Sequence, residues 1–351
     1  MNISELRECI DPVLGQPFGE RLTLGDAPDE LQLNTPYLAH PEYGSHFTAL
    51  NITLRQRLGA RVRLTTNYRP PIISQRVSGD ARAIPGVKNI LAVGSGKGGV
   101  GKSTVATLIA FATHLLGARV GLLDADIYGP NQLRLLGFPA DARLKVTDNN
   151  RFTPLQSNGM PVMSFAGIGD EDTPVVWRGP MISNALQQLL LHTNWPELDL
   201  LVVDLPPGTG DIQLTLASSV RLAALVLVTT PQALAQSEAG KTLAMAGKLN
   251  IPVAGLVENM GRFVCNKCDT EHRPFGDGQR LSNEISLLGS LPIDPALQNA
   301  SGKLVFDPAN QSGLEAVQIA EATSLAIAKL GANQNVTHDQ KPGNIIAREL
   351  T

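Results

Sequence analysis

Gly94 to Thr104 reads GSGKGGVGKST, and its segment Gly96–Ser103 satisfies G-x-x-x-x-G-K-[ST]. The glycines let backbone N–H groups turn inward around phosphate oxygens. A helix following the loop adds its positive N-terminal end. Lys102 is expected on the β- and γ-phosphates of a nucleotide, and Ser103 on a Mg²⁺ ion. Gly96, Lys97, Gly98, Gly99, Val100, Gly101, Lys102, Ser103 and Thr104 are therefore candidate nucleotide-binding residues. A phosphate loop needs one lysine, and Lys97 is a second. Two apolar runs end in acids. Leu200-Leu201-Val202-Val203-Asp204 places Asp204 where it can hold the Mg²⁺ hydration shell, or cap the next helix. Pro206-Pro207-Gly208-Thr209-Gly210-Asp211 follows, and the N–H of Gly208 is a candidate γ-phosphate contact. In Leu123-Asp124-Ala125-Asp126, Asp126 can orient an attacking water and Asp124 can help hold Mg²⁺. Both also suit a turn ahead of Tyr128-Gly129-Pro130.

The second reactive feature is Cys265-Asn266-Lys267-Cys268. Two thiolates at this spacing make half a metal site. They fit a redox disulfide, half a zinc site or half an iron–sulfur site. The chain has three cysteines and no second such pair. Cys9 is distant and falls in an apolar-periodic helix. His272, four residues after Cys268, is a possible third ligand for Cys₂His zinc.

The elements needed to position these groups are legible in the hydrophobic pattern. From Val87, apolar strands at 89–93, 120–124, 162–165, 200–204, 224–228 and 253–257 alternate with helical stretches, the first helix running to about Leu116. Such strands indicate a mostly parallel, doubly wound α/β sheet covered on both faces, the setting of a P-loop NTPase. Ligands bind at the strands' C-terminal ends in such sheets. Residues 1–78 form a separate small α+β module. It has a helix over Leu6–Leu14, alternating strands at 31–33 and 60–65, and a helix over His46–Leu58. Residues 79–86 read as linker, 87–330 as the ATPase domain and 331–351 as a polar, loose tail.

Composition excludes several classes. The chain has 351 residues, 43% hydrophobic, enough for two domains with a sizeable core. A net charge of −3 and 4% aromatic residues disfavour nucleic acid as a partner. No apolar run approaches the roughly 20 residues of a membrane helix, so no membrane partner is expected. MNISELRECIDPVLG lacks the pattern of a signal peptide, and a cytoplasmic, reducing setting is expected.

GKGGVGKST, DADIYGPN (Asp124–Asn131), VWRGPM (Val176–Met181), VDLPPGTGD (Val203–Asp211), ENM (Glu258–Met260) and the C-x-x-C together resemble the Mrp/ApbC family of iron–sulfur carrier ATPases. The similarity runs from about Val87 to Phe306. It implies an ATPase that binds ATP and Mg²⁺ and works as a homodimer, with Lys97 reaching the phosphates bound by the other subunit. A second cation delivered this way offsets charge developing in phosphoryl transfer. The resemblance also places Asn259 and the turn around Pro292 near adenine. In a two-fold dimer, Cys265, Cys268 and their symmetry copies supply the four thiolates of a 4Fe–4S cluster, which the family passes to apo iron–sulfur proteins. Bridging zinc suits the same four thiolates. Residues 1–78 resemble the small module often fused ahead of this ATPase, with Asp11-Pro12 and Thr35-Pro36 as the matching pieces. Tyr37 stands near where that module usually has a cysteine. The rival from another class is a MinD- or ParA-like spatial organiser. It needs neither cysteine, and the ending NIIARELT is too short and barely basic for a membrane-binding helix.

Overall fold

The computed structural model describes residues 3–27, 29–58, 63–73, 82–168, 179–208, 210–265, 267–276, 281, 285–298 and 302–336. Val176–Arg178, Thr209, Asn266 and the tail beyond Val336 lie outside the described residues. In chain order the strands are β1 (Leu22–Leu24), β2 (Glu30–Thr35), β3 (Arg63–Tyr68), β4 (Ile90–Ser95), β5 (Val120–Asp124), β6 (Lys145–Val146), β7 (Phe152–Thr153), β8 (Leu155–Ser157), β9 (Met160–Ser164), β10 (Leu200–Asp204), β11 (Ala224–Thr229), β12 (Val253–Val264), β13 (Glu271–His272) and β14 (Leu287–Ile293). The helices are α1 (Ile3–Arg7), α2 (His46–Leu58), α3 (Lys102–Leu115), α4 (Gln132–Leu135), α5 (Gly179–Leu191), α6 (Asp211–Ser219), α7 (Ala233–Lys248) and α8 (Gln311–Val336).

The large sheet has the order β13-β12-β11-β4-β10-β5-β9-β8, with β14 also paired to β12. Strands β14, β12, β11, β4, β10, β5 and β9 run parallel, and β13 and β8 are antiparallel additions at its margins. Alternate residues of each strand feed opposite layers. Leu91, Val93, Leu122 and Val202 pack with α3 and α8 residues such as Leu108 and Ile319. Ile90, Ala92, Leu123 and Leu201 pack with Leu186 and Leu189 of α5 and Leu216 of α6. Fully burying each such side chain stabilises the fold by about 1.5–3 kcal/mol before entropy is counted. This is the doubly wound α/β sheet expected from the sequence.

The small module is a three-stranded sheet, β1-β2-β3, antiparallel then parallel, with α2 packed against it. Its first helix is shorter than expected. It stops at Arg7 rather than Leu14, because Asp11 Oδ1 accepts the N–H groups of Val13 (2.9 Å) and Leu14 (3.2 Å) and makes a turn around Pro12. Cys9 therefore lies past the helix and is half-buried. Tyr37, in the position noted for its missing cysteine, donates its hydroxyl to the fully buried Asp11 carboxylate.

The residues just after β3 and the first residues of the expected tail are held against the ATPase body. Asn89 donates to Pro71 O at 2.9 Å and accepts from Ile73 N at 3.2 Å, pinning the residues after β3 to the ATPase body. Helix α8 continues to Val336, through the first residues of the expected tail, and Gly331 allows Pro71 to sit against it. The same helix completes the small module: Leu325 and Ala328 join its core. The buried Glu321 accepts from the N–H groups of Ser45 (2.8 Å) and His46 (2.9 Å), capping the start of α2. No helix among the described residues is long and apolar enough to cross a membrane.

At the end of the sheet opposite the phosphate loop, Asp199 gathers Lys88 (2.7 Å) and the N–H (3.0 Å) and guanidinium (3.0 Å) of Arg119. These residues stand just ahead of β10, β4 and β5. Burial pushes the Asp199 carboxyl up, but Arg119 and Lys88 outweigh it and hold it at about 2. An unfolded aspartate titrates near about 3.9, so this contribution is complete above about pH 4 and is lost as pH falls through about 2. Asp199→Asn is expected to lower unfolding stability by about 1–3 kcal/mol at pH 7. In urea melts the gap between the two proteins should close between about pH 4 and pH 2; a gap constant with pH contradicts the assignment.

Candidate functional site

Strand β4 lies between β10 and β11, and the C-terminal ends of β4, β10 and β5 converge on one cleft. The glycine loop leaves β4 and enters α3. Gly99 and Gly101 hold φ values of +79° and +80°, which glycine adopts without strain. A Cβ on Gly101 would also overlap Asn259 Nδ2, and one on Gly96 would overlap the backbone at Glu238 and Ala239. The cleft has a volume of about 410 Å³ and is lined by Lys97, Gly98, Gly99, Gly101, Lys102, Ser103, Thr104 and Asp126, with Arg134 and Gln298 across it. The sequence pointed to all of these except Arg134 and Gln298, which lie outside any motif.

Asp124 and Asp204 sit side by side in register at the ends of β5 and β10, both fully buried. Asp204 Oδ1 accepts from Lys102 Nζ, which also lies 3.4 Å from Ser103 Oγ. Asp204 Oδ2 accepts from Gln132 Nε2 at 2.9 Å. Asp124 Oδ2 accepts from Gln132 N and Ser164 Oγ, each at 3.0 Å, and Oδ1 accepts from Asp126 N at 3.2 Å. Burial first, then the neighbouring Asp204 charge, pushes the Asp124 carboxyl well above the usual carboxylate range. Asp126, half-buried at the cleft wall, is raised by burial against the opposing pull of Lys102. The donor set fits Mg²⁺. The Ser103 hydroxyl and an Asp204 oxygen already share one cation, the Lys102 ammonium, and both are hard oxygen donors.

Three further candidates have definite neighbours. The Gly208 N–H donates to Ser95 O at 2.8 Å, and Gln213 Nε2 holds the Gly208 carbonyl at 3.0 Å. A γ-phosphate would compete with Ser95 for that N–H. Lys97 Nζ donates to Gln232 Oε1 of the same chain at 3.2 Å. The Asn259 side chain is buried and donates to Val100 O at 2.9 Å, bracing the loop from beneath. Pro292 does not lie in a turn. It is buried in β14, whose Leu-Leu-Gly-Ser-Leu-Pro-Ile run pairs in parallel with β12; a proline without an N–H is tolerated on such an outer strand.

Strand β12 was expected to end at Val257, where its apolar run stops, but it continues to Val264. A left-handed Met260 (φ +60°) coincides with a register shift against β14. Beyond it Phe263 and Val264 pair with His272 and Glu271 as an antiparallel hairpin. The cysteines occupy the tip of that hairpin. Cys265 N donates to Thr270 O (3.0 Å) and Asp269 N to Cys265 O (2.9 Å), closing the loop. Cys265 is half-buried and Cys268 exposed. His272 stacks on Phe263, with ring centroids 6.2 Å apart. Among the described residues no three His, Cys, Asp or Glu side chains gather as a metal site, so His272 does not complete a Cys₂His centre within one chain. Arg262 anchors the hairpin, pairing with Glu271 across it (3.6 Å) and with Glu315 of α8.

The parallel sheet and the glycine loop between β4 and α3 define a P-loop ATPase. Residues 86–324 match the family described as ParA: NUBPL iron-transfer P-loop NTPase. The iron–sulfur cluster carrier protein of Pseudomonas fragi is 52% identical over 217 residues, which are 60% of this chain and 76% of that relative. The carrier of Aquifex aeolicus is 47% identical over 227 residues, 63% of this chain and 62% of its own length. A nucleotide-binding protein of Archaeoglobus fulgidus, solved in complex with ADP, is 31% identical with a TM-score of 0.53, covering 69% of this chain and 88% of its own. The cell-division ATPase MinD of Pyrococcus furiosus shares the fold at 22% identity and a TM-score of 0.50, over 67% of this chain and 97% of its own. The chain belongs to the NUBPL iron-transfer P-loop NTPase family, within the Mrp/ApbC group that its motifs resemble.

Hydrogen bonding with Thr270, and then with the neighbouring Cys265, draws the Cys268 thiol below its ordinary range. Its thiolate fraction near neutral pH is raised accordingly. Iodoacetamide at pH 7 should alkylate Cys268 ahead of Cys9, and Thr270→Val should slow it several-fold. Mass-spectrometric time courses report both; an unchanged Cys268 rate in Thr270→Val removes Thr270 as the cause.

Proposed function

We propose that this chain is an ATP-dependent iron–sulfur cluster carrier working as a homodimer. Two copies bring Cys265 and Cys268 together with their symmetry mates, and the four thiolates hold a 4Fe–4S cluster as cargo for apo iron–sulfur proteins. The observation that carries this reading is the path of β12. Cys265, in the exposed hairpin, stands six positions after Asn259, whose side chain braces the phosphate loop at Val100. A nucleotide that moves the loop therefore acts on the strand that bears the thiols. The names and identities of the relatives support the same reading.

ATP would draw Lys102 from Asp204 onto the β- and γ-phosphates. Lys97 would leave Gln232 and meet the phosphates bound by the other copy. Ser103 and Asp204 would hold Mg²⁺, which would supply charge neutralisation at the phosphates. Asp126, at the cleft wall, orients the attacking water. Asn259 and Pro292 are proposed to border the adenine. Four thiolates would also hold zinc, so the metal must be identified directly.

Anaerobic reconstitution with iron and sulfide tests the cargo. The wild type should take up about four iron atoms per dimer and donate them to an apo acceptor protein, and Cys265→Ser/Cys268→Ser should do neither. Equal uptake by both, or retention of zinc with no sulfide, sinks the proposal. Lys97→Ala tests the dimer-borne cation. ATP binding should persist while hydrolysis falls at least about tenfold, as loss of a cation delivered in trans does. Turnover equal to wild type would remove Lys97 from the reaction.

A further inference from the structure

Gln132 belongs to no motif, yet it is fully buried where three parts of the nucleotide site meet. It opens α4, directly after the Asp124–Asn131 loop. Its backbone N–H goes to Asp124 Oδ2 at 3.0 Å. Its side-chain amide is fully used: Nε2 donates to Asp204 Oδ2 at 2.9 Å and to Ser103 O at 3.0 Å, and Oε1 accepts from Thr107 Oγ1 at 2.6 Å. Thr107 Oγ1 in turn lies 2.8 Å from Ser103 O. A buried amide with both donors and its acceptor engaged has one orientation.

The arrangement divides the Asp204 carboxylate between two partners. Oδ1 accepts from Lys102, whose ammonium also lies 3.4 Å from Ser103 Oγ, and Oδ2 accepts from Gln132. Lys102 is also the lysine expected on the phosphates, so nucleotide binding competes for its hold on Asp204. The Gln132 amide has no such second duty. Being neutral, it orients the carboxylate without cancelling the charge that attracts a divalent cation. A lysine here would neutralise Asp204, and a carboxylate would repel it.

We infer that Gln132 is the positioning residue of the Mg²⁺ site, fixing Asp204 and the Ser103 end of the loop relative to one another while Lys102 moves between carboxylate and phosphate. The inference rests on the reading of Ser103 and Asp204 as Mg²⁺ ligands and is independent of the cluster reading.

Calorimetric titration of the full-length protein with ATP, once in EDTA and once in excess Mg²⁺, tests it. Gln132→Met keeps the side-chain volume and removes the amide. It should bind ATP in EDTA within about twofold of wild type and lose at least about tenfold of the affinity gained from Mg²⁺, about 1.4 kcal/mol. A merely structural role would lower both affinities together, and that outcome, or an intact Mg²⁺ gain, overturns the inference. Should Gln132→Met not fold, Thr107→Val decides. It frees the amide oxygen while leaving Gln132 in place, and should cost about threefold of the Mg²⁺ gain with ATP binding in EDTA unchanged; a full gain overturns the proposal. A wild type with no Mg²⁺ gain would instead refute the ligand reading beneath it.

Discussion

Two carboxylates, buried in register at the ends of neighbouring strands with one ammonium against Asp204, set the terms for the whole large domain. Removing such charges from water costs several kcal/mol each, and only close pairing and complete hydrogen bonding repay it. The sheet brings Asp124 and Asp204 within one strand spacing, and the glycine loop delivers Lys102. Ser164, from β9, and Gln132 supply the neutral donors. The apolar layers on either face keep water out. With one cation, on Asp204, for two neighbouring acids, the site is poised to take up further positive charge, and raising the Asp124 carboxyl is how it tolerates the shortfall.

The parts legible in the sequence were those where one physical signal dominates. Strands apolar on both faces and ending in acid, such as Val120–Asp124 and Leu200–Asp204, are found with the expected bounds. The glycine loop announces itself through the backbone angles it requires. What escaped notice depends on partners distant in sequence. The second half of β12 carries Glu258, Asn259 and Arg262, which break the apolar pattern. Their places are assigned by Ser290, Val100 and Glu315, from β14, the loop and α8. Gln132 looks like any surface glutamine until the chain folds around it. The first helix was overextended because periodicity takes no account of an aspartate that captures two backbone N–H groups.

The two reactive features sit on very different supports. The phosphate loop is seated between strand β4 and helix α3 and braced from beneath by Asn259. The thiols stand on a two-stranded arm beyond the sheet, steadied chiefly by Arg262 and its acidic partners. A rigid seat suits a site that must present dipoles already aligned. An arm attached at one end suits thiols that another molecule must reach.

The contribution of α8 to the small module has a consequence for the timing of assembly. Leu38 and Ser45 are made early, but the groups that receive their N–H bonds, Ser324 and Glu321, are made some 280 residues later. Ala328 closes the same apolar core. At about 5–20 residues per second, the small module waits on the order of tens of seconds for its last wall. During synthesis its unfinished face stays exposed, open to any chaperone that binds apolar surface. Pulse-labelling of nascent chains stalled before and after residue 328 would register the change.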